Sequence, residues 1–284
     1  MYKRQRQLVL KAKELLTSKG EREEAELDER LRRPSTVSRM NVIAVVSPKG
    51  GVGKTTTTWL VGDALASVAR ASVCAIDANP DYGTLGLLVP DARRSDRTLA
   101  DLLVDHEDRE PPNAAELEPY LSSLVSGLRV LEAPSDLHVM ATMGAQQYER
   151  LLELVQRQIA TVILDCGTGL ASPVARWAMG RADQVLIVTT PDWVTSNNVS
   201  AALRHVPARR ATLVLNQVRS GVAGNRQAIA DHFAAQAVER RHAVPYDEQL
   251  RTMLDSGTYE LTGPKRATRL AVKRLAAQVG EDLR

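Results

Sequence analysis

The chain has 284 residues, 44% of them hydrophobic and 25% charged, which suits one sizeable globular core and excludes the disordered and fibrous classes. With 37 basic and 34 acidic residues the formal charge is only +3, so nucleic-acid binding by bulk electrostatics is excluded and any such contact needs a local patch. Cys74 and Cys166 stand far apart in apolar runs, which excludes a disulfide framework and reads as two buried, inert thiols in a reducing cytoplasm.

In chain order, residues 1–5 (Met-Tyr-Lys-Arg-Gln) match what a transposon-end sequencing adapter encodes in one frame. They are expected to be foreign to the protein, with the natural N-terminus elsewhere. Residues 6–33 are rich in Glu, Arg and Lys with leucines at 8, 10, 15, 16, 27 and 31, and predict an exposed helical lead-in. Pro34, Ser35 and Thr36 make a linker, so residues 1–40 form a charged extension and residues 41–284 the main domain.

That domain opens with the apolar run Asn41 to Ser47, followed by a helix over 54–69 and a strand over 72–77. A short helix at 98–104, a strand at 128–131 and a helix at 145–159 come next. Further strands are expected at 161–165, 184–188 and 211–216, with helices near 172–180, 196–204 and 225–235. Fully apolar strands alternating with helices imply an α/β fold: three layers, with a mainly parallel twisted sheet and helices on both faces. Ligands of such sheets gather beyond the carboxyl ends of the strands. Lys49–Thr56, Asp77–Gly83, Asp165–Gly169 and Asn216 all fall there. No run approaches the roughly 18 to 20 apolar residues that span a bilayer, and the charged N-terminus is unlike a signal peptide. Eight lysines against 29 arginines suggest a GC-rich bacterial genome.

Pro48-Lys49-Gly50-Gly51-Val52-Gly53-Lys54-Thr55-Thr56 follows a strand and opens a helix, the setting in which backbone N–H groups wrap phosphate. Glycines are needed for close approach and for positive φ. Lys54 is placed for the β- and γ-phosphates, and the Thr55 hydroxyl for Mg²⁺. The usual phosphate-loop pattern fails at its first glycine, where Pro48 stands, and a second lysine, Lys49, follows.

The string K-G-G-V-G-K-T-T resembles the deviant Walker A motif of the ParA/MinD superfamily of P-loop NTPases, a SIMIBI-like group, and the resemblance spans about residues 29–283. It implies ATP and Mg²⁺ as cofactors, bound by Gly50, Gly51, Val52, Gly53, Lys54, Thr55 and Thr56. It also implies an ATP-dependent homodimer in which Lys49 crosses to the partner's phosphates; a solvated loop lysine is the alternative. Asp77 matches the first switch I carboxylate, a further candidate for Mg²⁺. Asn79 stands where the family carries the carboxylate that positions the attacking water, and an amide cannot take that water's proton. Slow ATP hydrolysis is therefore expected, with Asp81 as either a substitute or a turn residue. By the same resemblance Asp165 holds Mg²⁺ through water, Gly167 leaves room for the γ-phosphate, Asn216 reads adenine and Pro245 lies beside the base.

The lead-in ending Leu31-Arg32-Arg33-Pro34, the string Ile76 to Asp81 with Gly83-Thr84-Leu85, and Asp165-Cys166-Gly167 are similar to actinobacterial MinD/ParA-like ATPases that accompany type VII secretion. This implies a protein partner, such as a secretion component, that could recruit a cytoplasmic chain to the membrane or nucleoid. Two rivals stay open. One is a partition ATPase binding non-specific DNA through Arg209, Arg210, Arg240, Arg241, Lys265, Arg266, Arg269 and Lys273; for the C-terminal series the alternative is a solvated helix face. The other is a scaffold that hydrolyses nothing. Direct membrane insertion is not expected, because the C-terminus is poor in large apolar residues and ends acidic.

Overall fold

The computed structural model describes residues 19–33, 39–79, 83–191, 210–219 and 240–283. The helices expected at 196–204 and 225–235, the first part of the lead-in, Arg209 and Asp81 lie outside these residues. The strands are β1 Asn41–Ser47, β2 Val73–Ala78, β3 Ser122–Ser123, β4 Arg129–Leu131, β5 Thr161–Thr168, β6 Gln184–Thr189, β7 Ala211–Val218 and β8 Arg240–Pro245. They form one sheet in the order β3-β4-β2-β5-β1-β6-β7-β8. Only β3 runs antiparallel to its neighbour. The helices are α1 Lys19–Arg32, α2 Lys54–Ser67, α3 Leu99–Asp105, α4 Ala114–Leu117, α5 Leu137–Ala141, α6 Ala145–Val155, α7 Pro173–Arg181, α8 Glu248–Asp255 and α9 Arg266–Asp282.

Every residue of β1 is buried, and successive side chains serve opposite faces. Val42, Ala44 and Val46 join one core with Leu151, Leu152 and Ala178. Ile43 and Val45 join the other with Leu60, Val61 and Leu275. Helices therefore have to cover both sides of the sheet, the three-layer architecture that the apolar strands predict. The chain leaves β1 through α2 toward β2 on one side, and leaves β5 through α7 toward β6 on the other. This divergence opens the crevice at the carboxyl end of β1.

Some expectations change. Strand β5 does not stop at Asp165 but continues to Thr168, and β7 runs past Asn216 to Val218 with Gln217 at φ 57°. The helix at 145 ends at Val155, and Arg240 and Arg241 lie in an edge strand.

The described part of the lead-in helix is exposed on one face and buried on the other. Leu27 and Leu31 of α1 are each 3% accessible, packed with Leu275 and Val279 of α9. Acidic residues of α1 engage the basic series of α9: Glu24 pairs with Arg269 (3.1 Å) and Lys273 (3.1 Å), Asp28 with Lys273 (2.6 Å), and Glu23 with Arg274. Arg30 returns the contact to Glu281 (2.8 Å). The Arg266 guanidinium lies over Gly20, where an added Cβ would meet it at 2.7 Å. Of the other arginines read as DNA contacts, Arg240 pairs with Asp282 (3.0 Å) and Arg210 donates to the Ala182 carbonyl (2.9 Å). Arg269 and Lys273 of the C-terminal series are thus neutralised within the molecule, so this pair is neither a solvated face nor an open polyanion surface. Lys265 stays exposed.

Burial works to raise the Glu24 carboxyl, but Arg269 and Lys273 overcome it and hold it below the ordinary range. A depressed carboxylate pKa contributes stability above the ordinary value near 4.5, lost as pH falls through the folded value. The combined change Glu24→Gln and Asp28→Asn strands the buried Lys273 ammonium and is expected to cost roughly 2–4 kcal/mol. Chemical denaturation at pH 7 checks this, and the gap between wild type and variant should narrow below pH 4 or thereabouts.

Candidate functional site

At the carboxyl end of β1 the backbone takes a shape that only small residues accept. Gly51 has φ 73° and Gly53 φ 91°, and Gly53 caps the N-terminus of α2. At Gly53 space is short as well, since a Cβ would sit 2.2 Å from Asn216 Nδ2. Ser47 and Lys49 brace the base of the loop: Ser47 Oγ donates to the Lys49 carbonyl (3.0 Å) and accepts from its N–H (3.1 Å). The Lys49 residue itself is exposed.

Lys54, in the first turn of α2, is only 9% accessible, and its Nζ donates to Thr168 Oγ1 at 3.3 Å. Burial lowers its pKa, while the nearby Asp165 works to raise it. Asp165 is 1% accessible; burial pushes its carboxyl up to about 6, against the stabilising Thr55, Lys54 and Thr58. Thr58 Oγ1 donates to Asp165 Oδ1 (3.3 Å), whereas Oδ2 is buried with no hydrogen-bond partner among the described residues. The Thr55 hydroxyl lies 3.1 Å from that of Thr84.

Asp77 and Asp165 are register partners across β2 and β5. Burial and the neighbouring Asp165 push the Asp77 carboxyl up to about 7. Its oxygens accept the backbone N–H groups of Asn79 (3.2 Å) and Leu85 (3.0 Å), and so hold both ends of the switch-like segment. Gly167 is buried inside β5, and Cys166 beside it has its thiol pushed well up by burial. Burial likewise pushes Cys74 up to about 12, so neither thiol is ionised at neutral pH.

Beyond the loop a cleft of ≈ 400 Å³ is lined by Gly51, Thr56, Asn216, Pro245, Tyr246 and Leu250. Asn216 Nδ2 donates to the Val52 carbonyl (2.9 Å), and Gln217 Nε2 to that of Gly51 (3.3 Å), which ties β7 to the phosphate loop. The cleft's far wall is fixed by Asp247, which caps α8 and accepts from Lys265 N and Thr268 Oγ1, each at 2.8 Å. Of the sequence-predicted positions, Gly51, Thr56, Asn216 and Pro245 line this cleft, and Lys54, Asp77, Asn79 and Asp165 are joined to one another beside the loop by hydrogen bonds, charge and strand register. Thr58, Thr84, Thr168 and Gln217 also belong to the site, and their sequence signal was faint because threonines and a glutamine after a strand have many uses.

The set suits a nucleotide with Mg²⁺. A glycine cradle and a buried ammonium suit phosphate, and a hydroxyl with an orphaned carboxylate oxygen suits a hard cation that keeps its waters. Residues 40–216 match the AAA domain family AAA_31. The chain belongs to this family, within the ParA/MinD superfamily. It is 30% identical over 244 residues to the ESX-1 secretion-associated protein EspI of Mycobacterium tuberculosis, covering 82% of this chain and 35% of that protein. The chain thus spans about a third of that relative. It is 27% identical to the septum site-determining protein MinD of Synechocystis, over 76% of this chain and 80% of the other. The MinD structure of Pyrococcus horikoshii in complex with Mg-ADP superposes with a TM-score of 0.65 at 21% identity, covering 84% and 96% of the two chains.

Gly53→Ala is expected to lose more thermal stability than Gly51→Ala, because only Gly53 combines a positive φ, costing about 1–2 kcal/mol, with a collision. Adding Asn216→Ala should return part of the Gly53 loss, and thermal unfolding of the three variants checks it.

Proposed function

We propose that the chain is an ATP- and Mg²⁺-dependent switch ATPase whose ATP-bound form is a homodimer, serving a protein partner of a type VII secretion or related positioning system. The observation that carries this reading is the contrast between the two loop lysines: Lys54 is buried at the start of α2, whereas Lys49 is exposed. One cation is set to hold the phosphates of its own subunit, and the other is displayed where a second subunit can bring its nucleotide. The likeness to EspI supports the secretion role, and the Mg-ADP bound to the MinD neighbour supports the cofactors.

The residues have separable tasks. Backbone N–H groups from Gly50 to Thr56 wrap the phosphates, and Lys54 gains an anionic partner that offsets its burial. Thr55 and Asp165, the latter through water, would hold Mg²⁺, which when bound neutralises charge on the β- and γ-phosphate oxygens. Asp77, with its oxygens on two backbone N–H groups, sets the position of Asn79 and would add negative charge beside a bound Mg²⁺. Asn79 can orient an attacking water by hydrogen bonding but cannot accept its proton, so turnover is slow. Gly167 keeps the γ-phosphate side open, and Asn216 and Pro245 flank the base.

Asn79 also favours a second reading, a nucleotide-dependent scaffold without hydrolysis. Partition through non-specific DNA is less well supported, because α1 already engages the basic face of α9.

Lys54→Ala should weaken nucleotide binding by about 100-fold, in line with loss of a buried charge-assisted contact. Lys49→Ala should keep binding within a few-fold of wild type and abolish the ATP-dependent dimer; equal loss of binding in both variants contradicts the assignment. Asn79→Asp should raise phosphate release on the order of tenfold or more by restoring a proton acceptor. No release from wild type, with release from the variant, would establish the scaffold.

A further inference from the structure

A second cavity lies away from the nucleotide crevice. It holds ≈ 570 Å³, opens to solvent on one side, and is lined by α2, α1, α9, the turn between β3 and β4, and the loop Gly257–Thr262. Trp59 and Asp63 stand one turn apart on the face of α2 that lines it, and they are 3% and 4% accessible. Tyr259 closes it from the loop. Three buried atoms of these residues have no hydrogen-bond partner among the described residues: Trp59 Nε1, Asp63 Oδ2 and Tyr259 Oη. Buried polar atoms are almost always satisfied, so three at one void indicate a polar occupant.

The charge of that occupant follows from the walls. Asp63 has no ion pair with a cation among the described residues, and Glu24, Asp28 and Glu260 add further carboxylates. Lys273 is committed to Glu24 and Asp28, and Arg93 stands at the exposed rim. A cation would neutralise Asp63 and lie against two aromatic rings, each attractive to positive charge. The indole N–H can only donate, so the same ligand must present an acceptor. The space fits a small organic molecule.

We propose that this cavity binds a guanidinium or ammonium group bearing a nearby carbonyl, the chemistry of an arginyl or lysyl unit, with Asp63 as its counter-ion and Trp59 and Tyr259 as its hydrogen-bonding walls. The source is either a free molecule or a side chain of a polypeptide. Burial, aided by Glu260 and opposed by Ser126, pushes the Asp63 carboxyl up to about 6. A cation favours the ionised form, so affinity should rise with pH to about 6 and then level off. The other charged or titratable groups facing Asp63 are Glu24 and Asp28 from α1, Lys273 from α9, Tyr259 and Glu260 from the loop, and Arg93.

The test is calorimetric titration of the full chain with N-acetylarginine amide, with its neutral isostere N-acetylcitrulline amide, and with the capped peptide Gly-Arg-Gly. Trp59 fluorescence, assigned by Trp59→Phe, gives an independent readout. Saturable one-to-one binding of the arginine compound is expected, at least tenfold weaker for the citrulline compound and for Asp63→Asn. Tighter binding of the peptide than of the amide points to a polypeptide source, and the reverse to a free molecule. Retained nucleotide binding by Asp63→Asn shows that the variant is folded. Absence of saturable binding, or equal binding of the charged and neutral compounds, overturns the proposal and leaves a water-filled void.

Discussion

An ammonium group held almost out of water has to be compensated, and the site is arranged around that requirement. Lys54 lies at the first turn of α2, with Thr168 as its hydrogen-bond partner and the buried Asp165 close by. Both Asp165 and its register partner Asp77 are pushed upward by burial, so the crevice by itself compensates charge of neither sign well. A phosphate at Lys54 and a dication at Asp165 relieve both strains together. On this reading a nucleotide with its metal would fit the crevice better than either component alone.

The fold delivers these groups by simple means. Three neighbouring parallel strands, β2, β5 and β1, carry Asp77 and Asp165 at one register level and the glycine loop just beyond it. The register shift between Val45 and Ser47, opposite Asp165 to Thr168, carries Thr168 alongside the loop. On the other flank, Gln217 with its positive φ accompanies the shift between Leu215 and Val218, and Asn216 and Gln217 lean onto the loop's carbonyls. The end of β7 is thereby tied to the glycine loop.

Much of this was legible in the sequence because its signals are local. The apolar runs of β1, β2 and β5, the glycines of the loop and the carboxylates at strand ends are all read within ten residues. What escaped depends on distant partners. By sequence Arg240 and Arg241 are only candidate DNA contacts, yet they belong to an edge strand that pairs with β7. The leucines and acids of α1 resemble a solvated helix until Leu27 and Leu31 meet α9, and Lys273 reads as a surface charge until Glu24 and Asp28 enclose it. Charge periodicity states that a face exists, and only packing states what covers it.

The central claim is a dimer gated by the state of the nucleotide. Its most direct measurement is the mass of the wild-type chain in solution without nucleotide, with ADP, and with a slowly hydrolysed ATP analogue plus Mg²⁺. The account predicts a doubling of mass with the ATP analogue alone. A monomer in all three states, with the analogue shown to be bound, would contradict it.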